Sequence, residues 1–186
     1  YFSETGQLWG NPLYRWDEQK SGVYGWWGRR VASASILYDY LRIDHFRGFD
    51  SYWVIPADEE TAINGAWKKG PGIGFIKFLK EAAGSMKLIA EDLGLLTPSV
   101  KELLKDSNLP GMKVLEFAFD PEGESDYLPE SYNVNCICYT GTHDNDPVCP
   151  WLDSLDDDSR KFLKKYVKGK GLTADADGLI RLGMSS

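Results

Sequence analysis

With 186 residues, 42% of them hydrophobic and 26% charged, the chain has an ordinary globular make-up and enough length for a core without disulfides or metal. A net charge of −7, a sequence pI near 4.9 and the lack of any lysine–arginine cluster argue against nucleic acid and anionic membrane as partners. No apolar run approaches the roughly 18 residues of a membrane-spanning helix.

Residues 1–27 read as a long loop, punctuated by Gly6, Gly10, Asn11-Pro12, Gly22 and Gly25. It is decorated with Phe2, Trp9, Tyr14, Trp16, Tyr24, Trp26 and Trp27, with Ser3, Glu4, Gln7 and Asn11 interleaved. Flat rings beside hydroxyl-bonding groups suit pyranose sugars, and a loop pinned to the core by its own aromatics fits equally well. The spacing then predicts a helix from about Gly28 to Tyr38, a strand ending at Asp44 and a short apolar run Ser51–Pro56. A polar insertion from Asp58 to Lys69 leads through Gly70-Pro71-Gly72-Ile73-Gly74 into a helix Phe75–Ala83. The glycines lack the order of a phosphate cradle. Lys87–Ala90 is the next predicted strand. Thr97 caps a helix that opens with Pro98 and runs to about Lys105. Gly111–Phe119 and Asn135–Thr140 read as strands, Asp156–Val167 as an amphipathic helix with acids first and lysines last, and Gly178–Met184 as a final helix.

The chain opens on Tyr1-Phe2-Ser3 and reads as an internal piece of a longer protein. Three cysteines, Cys136, Cys138 and Cys149, are an odd number without zinc-knuckle spacing. An alternating strand face explains the first two, and free thiols fit a reducing, cytoplasmic compartment.

Strands alternating with helices argue for βα units and a parallel sheet. Three of the predicted strands end in an acid: Asp44, Glu91 and Asp144. In a (β/α)8 barrel all such ends converge on one face, which would bring these distant carboxylates into one cleft. The expected fold is therefore an α/β, TIM-type (β/α)8 barrel. Residues 1–186 would form a middle-to-late segment of its single catalytic domain, and residues 1–27 an active-site loop.

Two carboxyls of unlike character are what cleavage of a glycosidic bond needs. Asp44 ends an apolar run between Arg42 and Arg47, which would keep it ionised, either as a nucleophile or as part of a structural ion pair. Glu91 follows Leu88-Ile89-Ala90, where burial raises a carboxyl toward the acid/base range. Asp144 beside His143 could bond sugar hydroxyls. The two histidines, His45 and His143, offer no metal-binding spacing, so no metal site is expected, and no cofactor is implied.

Three segments strongly resemble the 4-α-glucanotransferases (amylomaltases or disproportionating enzymes) of the α-amylase clan: Arg42-Ile43-Asp44-His45-Phe46-Arg47-Gly48, Ile89-Ala90-Glu91-Asp92-Leu93-Gly94 and Tyr139-Thr140-Gly141-Thr142-His143-Asp144-Asn145-Asp146. The loop Tyr1–Pro12, Trp67–Gly72 and Pro110–Met112 extend the likeness nearly end to end. The resemblance implies an amylase-type barrel acting on α-1,4-glucans by retaining transfer. It makes Asp44 the nucleophile, Glu91 the general acid/base and Asp144 the transition-state stabiliser. Arg42 would hold Asp44, His143 would bond the donor sugar, His45 and Trp9 would contact substrate, and Phe117 would serve the acceptor side. Two rivals share these features: an α-1,4-glucan hydrolase using the same acids, and a non-catalytic glucan-binding module. One departure falls after Asp146, where the family commonly has a hydroxyl residue and Pro147 stands here, constraining its predecessor.

Overall fold

The computed structural model describes residues 4–17, 22–94, 96–121 and 125–186, so Tyr1, Phe2 and Ser3 of the aromatic loop lie outside the described residues. The chain forms two compact units, Tyr1–Leu109 and Pro110–Ser186.

In the first unit α1 (Val23–Ala34) precedes β1 (Tyr40–Ile43), a 3-10 turn (Phe46–Phe49), the hairpin strands β2 (Ser51–Val54) and β3 (Ala66–Lys69), α2 (Gly72–Ala83), β4 (Lys87–Ala90) and α3 (Pro98–Ser107). β1 and β4 pair in parallel, with Ile43 opposite Ala90. A parallel pair needs a crossover, and the segment carrying α2 supplies it. The apolar stripe Phe75, Ile76, Leu79 and Ala83 recurs at helical spacing and is fully buried. α3 starts as the sequence predicts, with Pro98 at its first position and the Val100 N–H donating to Thr97 Oγ1 at 3.4 Å.

α1 begins and ends earlier than its spacing predicts. Tyr24 and Trp27 belong to the helix, packing edge-on and tilted against Phe75, so the core extends the helix at its start. Beyond Ala34, Ile36 and Leu37 are 82% and 73% exposed, so no burial sustains another turn. The aromatic stretch therefore divides: Trp16, Tyr24 and Trp27 pack on the core, while Trp9 and Trp26 stay exposed.

The β2–β3 hairpin closes against the 3-10 turn through Gly70, whose N–H donates to the Asp50 carbonyl at 2.7 Å. A Cβ on Gly70 would lie 2.6 Å from the Gly48 carbonyl oxygen and closer still to that of Phe49. Neither backbone can step aside alone. Gly70→Ala is expected to cost about 1–3 kcal/mol as an overpacked contact, read as a lowered urea midpoint at unchanged slope. A midpoint equal to wild type would show that the hairpin yields there freely.

The second unit holds β5 (Gly111–Val114), a 3-10 turn (Leu115–Phe117), β6 (Cys136–Tyr139), α4 (Val148–Ser154), α5 (Asp157–Gly169) and α6 (Ala176–Met184). β5 and β6 pair in parallel, Val114 opposite Tyr139. The strand predicted over Gly111–Phe119 stops at Val114, because the turn after it buries Leu115, Ala118 and Phe119 in a core shared with Leu163, Val167, Leu179 and Leu182. Asp156 caps α5 by accepting the N–H groups of Asp158 and Ser159 at 2.9 and 2.8 Å.

The expected (β/α)8 barrel is not what the chain forms. The strands among the described residues make three two-stranded sheets, β1–β4, β2–β3 and β5–β6, and none closes. Closure requires each strand to bond a neighbour on both sides; here every strand bonds one. What remains of the expectation is an α/β fold in which two of the three pairs are parallel. No helix among the described residues is long and apolar enough to cross a membrane.

Candidate active site

In the first unit the parallel ladder carries one step past the strands, so the residues following Ile43 and Ala90 lie side by side. The Glu91 N–H donates to the Ile43 carbonyl at 2.9 Å, and the Phe46 N–H donates to the Glu91 carbonyl at 3.0 Å. Asp44 and Glu91 are thus neighbours at the carboxyl ends of adjacent strands. Their surroundings differ. Asp44 is exposed, and β1 pairs only with β4 among the described residues. Glu91 is half-buried.

Both Glu91 carboxyl oxygens accept backbone N–H groups, Oε2 from His45 at 2.7 Å and Oε1 from Leu93 at 3.1 Å. Burial nevertheless pushes its pKa up. The two N–H bonds pull against that shift, while the charges of Asp44 and Asp92 add to it. His45 reaches Glu91 from a left-handed backbone, φ 49° and ψ 51°, which few non-glycine residues adopt. Its imidazole is held below the usual histidine range by burial and by Arg47, with Asp44 opposing. The Trp9 ring meets it edge to face, centroids 5.3 Å apart, and Trp9 stays 61% exposed. Arg42 is half-buried in β1, opposite Ile89, and the Arg47 guanidinium lies 4.8 Å from the centre of the Trp67 ring.

The remaining candidates belong to the second unit. Thr142 to Asn145 form a tight turn after β6, tied by Asn145 Oδ1, which accepts from both the Thr142 N–H and its hydroxyl at 2.9 Å. The Asp144 N–H donates to Thr142 Oγ1 at 3.3 Å. This turn presents His143 and Asp144 to solvent, His143 Nε2 standing 3.4 Å from Asp144 Oδ1. Pro147 caps α4 just beyond, and the turn keeps its internal bonds up to it. Both side chains line an open pocket of about 390 Å³ with Glu116, Phe117, Asn145, Asp146 and Trp151. Phe117 packs edge-on against Tyr127 at 5.4 Å.

The fold therefore brings Asp44, Glu91, His45, Trp9 and Arg42 into one unit, and Asp144, His143 and Phe117 into the other. Sequence reasoning passed over Glu116 and Trp151 in the pocket. Glu116 left a signal: it is the lone charged residue within Val114–Phe119. Among the described residues no group of three or more His, Cys, Asp or Glu side chains is arranged to hold a metal ion.

All 186 residues match a protein family described as 4-alpha-glucanotransferase. The chain is 45% identical over 186 residues to the 4-alpha-glucanotransferase of Streptococcus pneumoniae, covering 100% of this chain and 37% of that protein. It is 44% identical over 185 residues to the chloroplastic/amyloplastic 4-alpha-glucanotransferase of Solanum tuberosum, covering 100% of this chain and 32% of that protein. Among solved structures, the amylomaltase from Streptococcus agalactiae in complex with acarbose aligns with a TM-score of 0.82 at 42% identity, over 90% of this chain and 34% of that one. The chain thus spans about a third of the length of these relatives.

Proposed function

The chain belongs to the 4-alpha-glucanotransferase family, and from that premise we propose that it carries the reacting carboxyls of a retaining transglycosylase acting on α-1,4-glucans. The observation that carries this reading is the side-by-side placement of an exposed Asp44 and a half-buried Glu91 at the ends of β1 and β4. Retaining enzymes hold their two carboxyls roughly 5–5.5 Å apart, a separation that side chains on neighbouring strand ends can reach. Their unlike surroundings suit unlike tasks.

Asp44, ionised, attacks the anomeric carbon of the donor. Glu91, protonated, gives its proton to the departing glycosidic oxygen, leaving a glycosyl ester on Asp44. The 4-hydroxyl of an acceptor glucan then loses its proton to Glu91 and displaces Asp44, forming a new α-1,4 bond with net retention. In this proposal Arg42 holds Asp44, His45 fixes Glu91 through its backbone N–H, and Trp9 offers a ring to a sugar face. Asp144 and His143 bond donor hydroxyls, and Phe117 serves the acceptor. The exposed aromatic segment around Trp9 supplies binding surface and limits water. A relative has been seen with acarbose, and we extend acarbose binding to this protein. A reducing cytoplasm completes the reading, supported by an odd number of cysteines, three, without zinc-knuckle spacing.

The test is to incubate the full-length protein with maltotriose and resolve products by size over time. Glucose appearing with maltopentaose and longer chains is expected. Glucose and maltose alone, with reducing ends rising, would make the protein a hydrolase. Binding without turnover would make it a glucan-binding module and overturn the proposal.

A further inference from the structure

Glu116 is the residue of the second unit that the proposed chemistry leaves unused, and its setting is unusual. It follows β5 in the 3-10 turn and is only 7% exposed. Both carboxyl oxygens are buried, and among the described residues neither has a hydrogen-bond partner. Two buried acceptors without partners are unfavourable, and a buried charge without one far more so. Such a group in a native fold calls for an explanation, and a bound ligand is one that satisfies it.

Glu116 is part of the wall of the same pocket as Asp144, His143 and Trp151. On the side of the turn bearing His143 and Asp144 it faces Gly141, where a Cβ would stand 2.6–2.7 Å from the carboxyl oxygens and carbon. Any side chain at position 141 would have to displace the Glu116 carboxyl. Burial, with the charge of Asp146 adding to it, pushes the Glu116 carboxyl up to about 7. Burial thus favours the protonated form, which can both donate and accept a hydrogen bond. A sugar hydroxyl is the ligand group that does both in return.

We propose that Glu116 is a further sugar-binding group of this pocket, its carboxyl exchanging hydrogen bonds with a hydroxyl of the glucose unit held against Asp144. The inference rests on the glucanotransferase reading, and the wild-type assay with maltotriose decides that reading first and separately. The charged groups around the carboxyl are Asp146, which bears on its ionisation, and Asp144 and His143, which share the pocket.

The experiment measures KM and kcat for maltotriose in the full-length wild type, Glu116→Gln and Glu116→Leu from pH 5.5 to 8.5. In wild type, KM is expected to rise as pH passes about 7, because the hydroxyl-donating form of Glu116 is lost. Glu116→Leu is expected to raise KM about tenfold with a smaller change in kcat, since the hydroxyl loses its partner. Its Tm should be no lower than wild type, because the substitution removes a buried unpaired group. Glu116→Gln keeps a donor and an acceptor, so it should recover much of the lost affinity and abolish the step in KM near pH 7. A wild-type KM in Glu116→Leu would overturn the proposal and leave Glu116 a packing residue. Should Glu116→Leu fail to fold, the Gln profile decides: a step near pH 7 that persists without the carboxyl refutes the assignment.

Discussion

Asp44→Asn in the full-length protein is expected to lower kcat for maltotriose disproportionation by about 10³-fold or more, with acarbose still bound. The amide has the shape of the carboxylate but neither its charge nor its nucleophilicity, so the glycosyl ester cannot form. Asp and Asn have nearly the same size and shape, so the fold should be kept. That combination matters: activity gone, fold and ligand binding kept. The family resemblance is what proposes Asp44 as the nucleophile, and the register is compatible with it. Ile43 pairs with Ala90, which sets Asp44 beside Glu91 and no other predicted carboxyl beside it in that ladder. The charge of Asp44 is also among the influences raising Glu91. A variant keeping more than about a tenth of wild-type kcat would show that bond cleavage does not pass through Asp44.

How far the sequence foretold this arrangement depends on the kind of signal. Lys87–Ala90 was legible as a strand to the residue, and Thr97-Pro98 as a helix start, because apolar runs and caps are local. Asp44 and Glu91 were legible for the same reason, each directly following an apolar run, whereas Asp144 sits in the turn past β6. β3 was not: Ala66–Lys69 is exposed at every position and shows no alternation, so only its pairing with β2 makes it a strand. α1 lost its first turn to a reading of Tyr24, Trp26 and Trp27 as loop decoration, whereas two of these rings are core contacts of a helix. The barrel failed at a different level. Alternating β and α predicts parallel pairing, which two sheets show, yet it does not count how many neighbours a strand acquires. Glu116 was hidden because a charged residue in an apolar run gives no sign of whether it finds a partner. That is a tertiary property, visible only once Gly141 and Asp146 are placed against it.

Glu91→Gln separates the two halves of the proposed reaction. With maltotriose as donor, kcat is expected to fall about 10²–10⁴-fold, the usual worth of a general acid/base. A donor such as α-maltosyl fluoride, whose leaving group needs no proton, should still react with Asp44 at close to the wild-type rate. The product then has no base to activate an acceptor hydroxyl, so the glycosyl ester should accumulate and register as added mass on the protein. Azide, an anion that needs no base, should discharge it as an α-glycosyl azide, displacing Asp44 with net retention. The pH dependence follows from the environment of Glu91. Burial holds its proton to higher pH than an ordinary carboxyl, so wild-type kcat is lost on the alkaline side as that proton leaves. In Glu91→Gln acting on the fluoride, that alkaline loss should vanish from ester formation. Persistence of the alkaline limb, or failure of azide to release the sugar, would move the acid/base role away from Glu91. The proton would then have to come from another group, and the paired strand ends would lose their division of labour.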